Sequence, residues 1–216
     1  NEKYYYNVTV RDIAKNENST ETRVITLDNI NPNINFAGGT EANNTFFNRN
    51  WIFVNITTSD NNSANLTFFL YNSSFDLVNQ TTYTAFNDTN NSINFTNLAD
   101  TNERYYYNAT STDKAGNRNS TETRIITLDS LNPSIRLDAP ANNTWSSTSI
   151  INFQYTPFDT NVVACTLYNN ETGTWKLNET NNTVTSGIQD TITISLKDGN
   201  FIWNVLCNDT AGNLAF

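Results

Sequence analysis

Short runs of alternating apolar and polar residues fill the chain, separated by turns rich in Asn, Ser, Thr and Asp, and no stretch sustains a helical period. The alternation predicts strands at 4–10, 22–27, 33–36, 52–57, 66–71, 93–98, 105–110 and 123–128. Further strands are predicted at 134–137, 150–155, 162–168, 191–196 and 201–207. About seven short strands per hundred residues predicts an all-β fold of immunoglobulin-like β-sandwiches.

The pattern also repeats. Residues 2–36, EKYYYNVTVRDIAKNENSTETRVITLDNINPNINF, recur without a gap at 103–137 as ERYYYNATSTDKAGNRNSTETRIITLDSLNPSIRL. A partial third copy, GNFIWNVLCNDTAGN, occupies 199–213. Such periodicity is the signature of a tandem array. Asn31-Pro32 and Asn132-Pro133 favour extended backbone and mark module boundaries. The expected organisation is a strand pair of one module at 1–29, a complete module at 30–129, and a module lacking its last strand at 130–216. This reads as a window on a longer repeat protein; strand addition between neighbouring subunits is the alternative.

Composition narrows function by exclusion. The chain has 12 Lys and Arg against 21 Asp and Glu, a formal charge of −9, so it repels phosphate backbones and is not expected to bind nucleic acid. It has no His, which removes Ser-His-Asp and Cys-His devices and His-ligated zinc. Asp60, Asp100 and Asp159 could form a glycosidase carboxylate pair only if a cleft joined them, and all three lie in predicted turns. No enzymatic activity is expected. No apolar run reaches the roughly 20 residues of a membrane helix.

Cys165 and Cys207 are the only cysteines. Alignment of the repeats sets Cys165 against Phe68 and Cys207 against Ser111. Alternation turns Val163, Cys165 and Leu167 inward, and likewise Phe201, Trp203, Val205 and Cys207. A disulfide follows, and with it an oxidising, extracellular setting. The same reasoning makes Tyr4, Tyr6, Tyr105 and Tyr107 core residues and leaves Tyr5 and Tyr106 outward.

Asn-x-Ser/Thr sequons begin at Asn7, Asn18, Asn43, Asn55, Asn61, Asn65, Asn72, Asn79, Asn87, Asn90, Asn94, Asn108, Asn119, Asn142, Asn170, Asn178, Asn181 and Asn208. A chain this rich in Asn, Ser and Thr makes some by chance. Asn7, Asn55 and Asn108 alternate with inward residues, so N-linked glycans on the surface are expected. Asp28 and Asp129 end their modules, and Asp12, Asp113 and Asp209 open the turn after the YYYN-type strand. Such hard oxygen ligands suit a structural calcium ion, yet Asp is equally an ordinary turn former, and the sequence leaves both readings open.

The module end ITLD…NP, the run DGNFIWNVLCNDTAGN and the placement of Cys165 and Cys207 resemble immunoglobulin-like repeats of archaeal cell-surface proteins. DxAGN and the linker Asp are also similar to bacterial Ig-like adhesin repeats, some of which hold calcium at junctions. The resemblance spans the chain, with two departures: Ile13-Ala14-Lys15-Asn16 lacks the glycine of AGN, and the module at 30–129 lacks the cysteines. It implies a glycosylated structural element of the cell surface, a fibre, stalk or sheath, that associates with itself or with adjacent repeats. The alternative is an adhesin for glycans or proteins on another cell, with Trp51, Trp145 and Trp175 as its candidate contacts.

Overall fold

The computed structural model describes residues 2–86 and 89–216. These form twenty strands and no helix. The first four make an open ribbon: β1 (Glu2–Tyr6), β2 (Thr9–Arg11), β3 (Glu17–Ser19) and β4 (Arg23–Leu27). β1 pairs with β4 and β2 with β3, both antiparallel.

A sandwich follows, built from β5 (Asn33–Phe36), β6 (Thr45–Phe47), β7 (Ile52–Ser59), β8 (Ser63–Tyr71), β9 (Leu77–Tyr83), β10 (Asn91–Phe95), β11 (Thr101–Asp113), β12 (Arg118–Ser120) and β13 (Arg124–Asp129). One sheet has the order β10-β7-β5; the other runs β6-β13-β11-β8-β9, with β12 also on β11. The β6–β13 pair is parallel. The second sandwich contains β14 (Ser134–Ala139), β15 (Ile150–Phe158), β16 (Val162–Asn169), β17 (Lys176–Asn181), β18 (Asp190–Ser195), β19 (Trp203–Asp209) and β20 (Leu214–Ala215). Its sheets are β14-β15-β18 and β17-β16-β19-β20. The chain is therefore an all-β protein of immunoglobulin-like sandwiches.

Period-two alternation sets the register. In β7 Ile52, Val54 and Ile56 are fully buried, as are Leu66, Phe68 and Leu70 of β8. Tyr107, Ala109 and Ser111 of β11 complete that face at 0% exposure. A one-residue slip would turn all of these outward, so the hydrophobic face pins the pairing. Apolar residues of the first sandwich make one core and those of the second make another.

Three expectations need correction. Tyr4 and Tyr6 are 47% and 53% exposed, because among the described residues no second sheet packs on the ribbon; their counterparts Tyr105 and Tyr107 are buried. Val163 is 42% exposed, since a register irregularity between Val162 and Ala164 rotates it away from the face that Cys165 and Leu167 share. Finally, Ser111 stands opposite Leu66, not Phe68. Cys165 stands opposite Cys207, so its counterpart is Leu66. The repeat alignment is thus two residues off on this strand, a shift that preserves facing and is invisible to alternation.

Cys165 and Cys207 are disulfide-bonded at a Cα separation of 4.1 Å, and both are fully buried. The bond joins neighbouring strands of one sheet, whereas that of antibody domains joins the two sheets. Cystine in one sandwich occupies the place of Leu66 and Ser111 in the other. With the cysteines 42 positions apart, the chain-entropy model gives about 4 kcal/mol of stabilisation. Denaturant melting of the Cys165→Ala/Cys207→Ala variant should show a loss approaching that value, confined to the second sandwich. A loss below about 1 kcal/mol would contradict this role for the cystine.

Candidate functional site

The aspartates that end and open the repeats converge where successive units meet. Asp28 follows β4 and Asp129 ends β13, so each stands at the entrance to the next unit. Asp113 and Asp209 end the long central strands β11 and β19. The third member comes from the tight link after the strand opposite: Asp60 between β7 and β8, and Asp159 between β15 and β16. One carboxylate oxygen from each of Asp28, Asp60 and Asp113 lies within 4.8 Å of the other two, and the same holds for Asp129, Asp159 and Asp209.

DxAGN supplies the scaffold. Asp113 Oδ1 accepts the amides of Ala115 (2.8 Å) and Asn117 (2.9 Å), and the Asn117 side chain donates to Asp113 Oδ2 at 2.7 Å. Gly116 adopts φ 93° and Gly212 φ 90°, the left-handed conformation that glycine takes without steric cost. In the ribbon Lys15 takes that place at φ 71°. The turn therefore survives the loss of its glycine, and Asn16 still donates to Asp12 from both its backbone and its side chain at 2.8 Å.

The second Asn of the motif reaches beyond its own turn. Asn117 Nδ2 donates to the backbone carbonyl of Asp28 at 3.1 Å, and Asn213 Nδ2 donates to that of Asp129 at 2.9 Å. A second amide answers from the opposite side: Asn62 Nδ2 donates to Asp28 Oδ2 (3.1 Å) and Asn161 Nδ2 to Asp129 Oδ2 (3.2 Å). Asn62 and Asn161 are themselves fixed by Asx turns: the backbone N–H of Asn62 donates to Asp60 Oδ1 and that of Asn161 to Asp159 Oδ1, each at 2.6 Å. At the first junction Asn119 Nδ2 also donates to the Pro32 carbonyl at 3.0 Å. Each linker is thus held by side-chain amides from the unit that follows it.

The electrostatics are one-sided. Asp113, Asp129 and Asp209 are at most 3% exposed. Among the described residues no Lys or Arg forms an ion pair with any of the six. Burial pushes the Asp159 carboxyl above the ordinary carboxylate range, and the charges of Asp129 and Asp209 push the same way against the bond from the Asn161 amide. Burial also acts upward on Asp113. There the Asn117 side chain and the backbone amides of Asn117, Ala115 and Gly116 outweigh it, and the carboxyl is held below its usual range. Asn213 is 2% exposed, and among the described residues its Oδ1 has no hydrogen-bond partner. Crowded oxygens with too few donors and no cation of their own suit a hard divalent ion.

Of the aspartates singled out from the sequence, Asp28, Asp113, Asp129 and Asp209 enter these clusters. Asp12 does not: it lies exposed on the ribbon, bonded to Asn16. Asp60 and Asp159, considered only as catalytic acids, belong here instead. The amides of Asn62 and Asn161 were missed, although the recurring Asp-x-Asn at 60–62 and 159–161 marked them. Asn87, a sequon position, lies outside the described residues. Asn55 does not project freely, because its Nδ2 donates to the Gly38 carbonyl at 3.0 Å and its Oδ1 is enclosed. Trp51 packs on the Arg49 guanidinium, 3.7 Å from ring centroid to Cζ. Trp175 stacks on Tyr168 at 6.0 Å, and Trp145 is almost wholly exposed at 97%.

No protein-family model matches the chain, and no curated protein matches it. Among solved structures it is similar to the fibronectin(III)-like modules of Clostridium thermocellum CbhA, with 13% identity over 85% of this chain and 89% of that one, at a TM-score of 0.46. It is similar also to a tetra-tandem repeat in the extending region of a large adhesion protein: 17% identity, 98% of this chain, 54% of that one, TM-score 0.38. The FN1–FN3 domains of chicken CNTN1 match at 9% identity over 97% of this chain and 71% of theirs, TM-score 0.38. The chain spans about half the length of the adhesion-protein repeat. With TM-scores this low the likenesses decide nothing about function, which rests on the side chains above.

Asn213→Ala removes both the tether to Asp129 and the donor to buried Asp209, and should cost roughly 2–4 kcal/mol in denaturant unfolding. Asn16→Ala removes the equivalent bond on the exposed ribbon and should cost less than about 0.5 kcal/mol. Equal losses in the two variants would show that the tether is not what matters.

Proposed function

We propose that the chain is a stretch of an extracellular repeat protein, a fibre, stalk or sheath element of the cell surface, whose modules are held in series by calcium at the Asp/Asn junctions. The observation that carries this reading is the duplication of the junction: the same three carboxylates and the same two amides recur at both. An enzyme needs one site; a mechanical series needs the same joint at every step. In such an array each module contacts only its neighbours, so length is added without redesign. The buried disulfide supports an oxidising exterior.

Asp28, Asp60 and Asp113 would hold one ion, and Asp129, Asp159 and Asp209 the other. Calcium would supply the positive charge that the buried carboxylates lack, fixing the linker to both the central strand and the opposing loop. The partners of the chain are then adjacent repeats of the same protein, in the same chain or by strand exchange between subunits.

N-linked glycans complete the reading, and the side chains sort the sequons. Asn7, Asn55, Asn72, Asn108, Asn119, Asn181 and Asn208 already donate their side-chain nitrogen within the protein. Asn18, Asn61, Asn79, Asn90, Asn94 and Asn142 are exposed, and among the described residues their side-chain nitrogens make no such bond. Peptide mapping of the native protein should find glycan concentrated on the second group. Full occupancy of Asn55 or Asn119 would contradict the sorting.

Calorimetric titration should detect two calcium ions per chain, with affinities of about 10⁻⁴–10⁻³ M as for other extracellular modules. Asp60→Asn should abolish one and Asp159→Asn the other. At about a hundredfold excess over the dissociation constant, calcium should stabilise each junction by about 2.7 kcal/mol. Absence of any binding isotherm up to about 10 mM calcium would overturn the joint as described.

A further inference from the structure

The outer face of the first sandwich carries a second feature that the mechanical reading does not use. Because Leu66, Phe68 and Leu70 of β8 and Tyr107, Ala109 and Ser111 of β11 point into the core, the intervening residues project outward. The register sets Tyr71 beside Tyr106, Phe69 beside Asn108, and Thr67 beside Thr110. The rings of Phe69 and Tyr71 stack with centroids 6.2 Å apart and planes 13° from parallel. Phe75, from the β8–β9 turn, lies on Tyr106 at 4.1 Å and 22°. A shallow groove of roughly 320 Å³ runs over Phe69 and Tyr71, past Asn108 and Thr110, to Arg118 and Ser120 on β12.

Arg118 decides the ligand. Arg11, Arg23, Arg49, Arg124 and Arg136 each pair with a carboxylate. Arg104 and Arg118 make no ion pair among the described residues; of these two only Arg118 lines the groove, and its Nε donates to Thr112 Oγ1 at 3.3 Å. Among the described residues no acidic side chain lines the groove. An unanswered guanidinium therefore stands at one end of an aromatic strip, on a chain whose formal charge is −9. Flat rings accept the C–H face of a sugar, the Asn, Thr and Ser groups exchange hydrogen bonds with hydroxyls, and the planar guanidinium grips a carboxylate in two places. The net charge repels any polyanion, but a polyphosphate also lacks an apolar face to lie on the rings of Phe69 and Tyr71. A uronic acid brings one charge per ring.

We infer that this groove binds an acidic polysaccharide through its uronic acid units. The site goes beyond the mechanical role, since it lets the array adhere to an anionic glycan coat. The second sandwich supplies an internal control: Tyr168, Trp175 and Phe216 form an aromatic cluster there, and Leu214 replaces the arginine on the adjoining strand.

The test is calorimetric titration of the whole 216-residue chain, made in a host without N-glycosylation, with short oligogalacturonate and with its neutral galactose counterpart. Calcium-free buffer keeps calcium from bridging uronates to the junction aspartates. Saturable binding of the acidic ligand alone is expected, weakened about tenfold or more by Arg118→Gln and by Phe69→Ala. Trp175→Ala should bind as the unsubstituted chain does, and circular dichroism should show every variant folded. No binding, equal binding of the neutral ligand, or full affinity in a folded Arg118→Gln variant would each overturn the inference.

Discussion

A carboxylate taken out of water must be answered by hydrogen bonds or by positive charge, and the architecture of this chain is arranged around two places where three carboxylates, buried or half-buried, crowd together. Asp113 and Asp209 end the central strands β11 and β19, which carry core residues of their sandwiches. Asp28 and Asp129 begin the passage to the next unit. Asp60 and Asp159 close the link to the facing sheet. Strand, linker and loop therefore meet in one electrostatic problem, and the amides that solve it, Asn62 with Asn117 and Asn161 with Asn213, also tie the linker down. Burial of these groups is useful only if the neighbouring unit stays docked, so the cost of undocking is the exposure of a matched set of donors and acceptors.

Core and joint are covered by different rules. Within a core, shape is negotiable: Leu66 and Ser111 in one sandwich do what Cys165 and Cys207 do in the other. At the joint, chemistry is held. The Asx turns, the Asp–Asn clasp and the capture of the linker carbonyl recur with nearly the same distances. At Asp12 and Asn16 the same clasp is an exposed turn whose left-handed residue is a lysine.

What could be read from the sequence follows from the same physics. Half-buried strands such as β7 and β11 announce themselves by alternation, and the repeat gave their order. The edge strands β9 (LVNQTTY) and β17 (KLNETN) are mostly exposed on both faces, carry no alternating burial, and escaped notice. The counterpart of Cys165 was misplaced by two residues because alternation fixes facing but not register. Tyr4 and Tyr6 repeat Tyr105 and Tyr107 letter for letter, yet burial is a property of what packs against a residue. Asp28, Asp113, Asp129 and Asp209 stood out by recurrence; Asp60 and Asp159 joined them only in space, across the sandwich.

Under the proposed function, calcium at the aspartate clusters fixes the angle between successive units. Small-angle X-ray scattering of the 216-residue chain, with calcium and then with excess chelator, tests it directly. A single narrow distance distribution in calcium that broadens on chelation, and that is broad in both conditions for the Asp60→Asn/Asp159→Asn variant, is the predicted result. Identical distributions with and without calcium would contradict it.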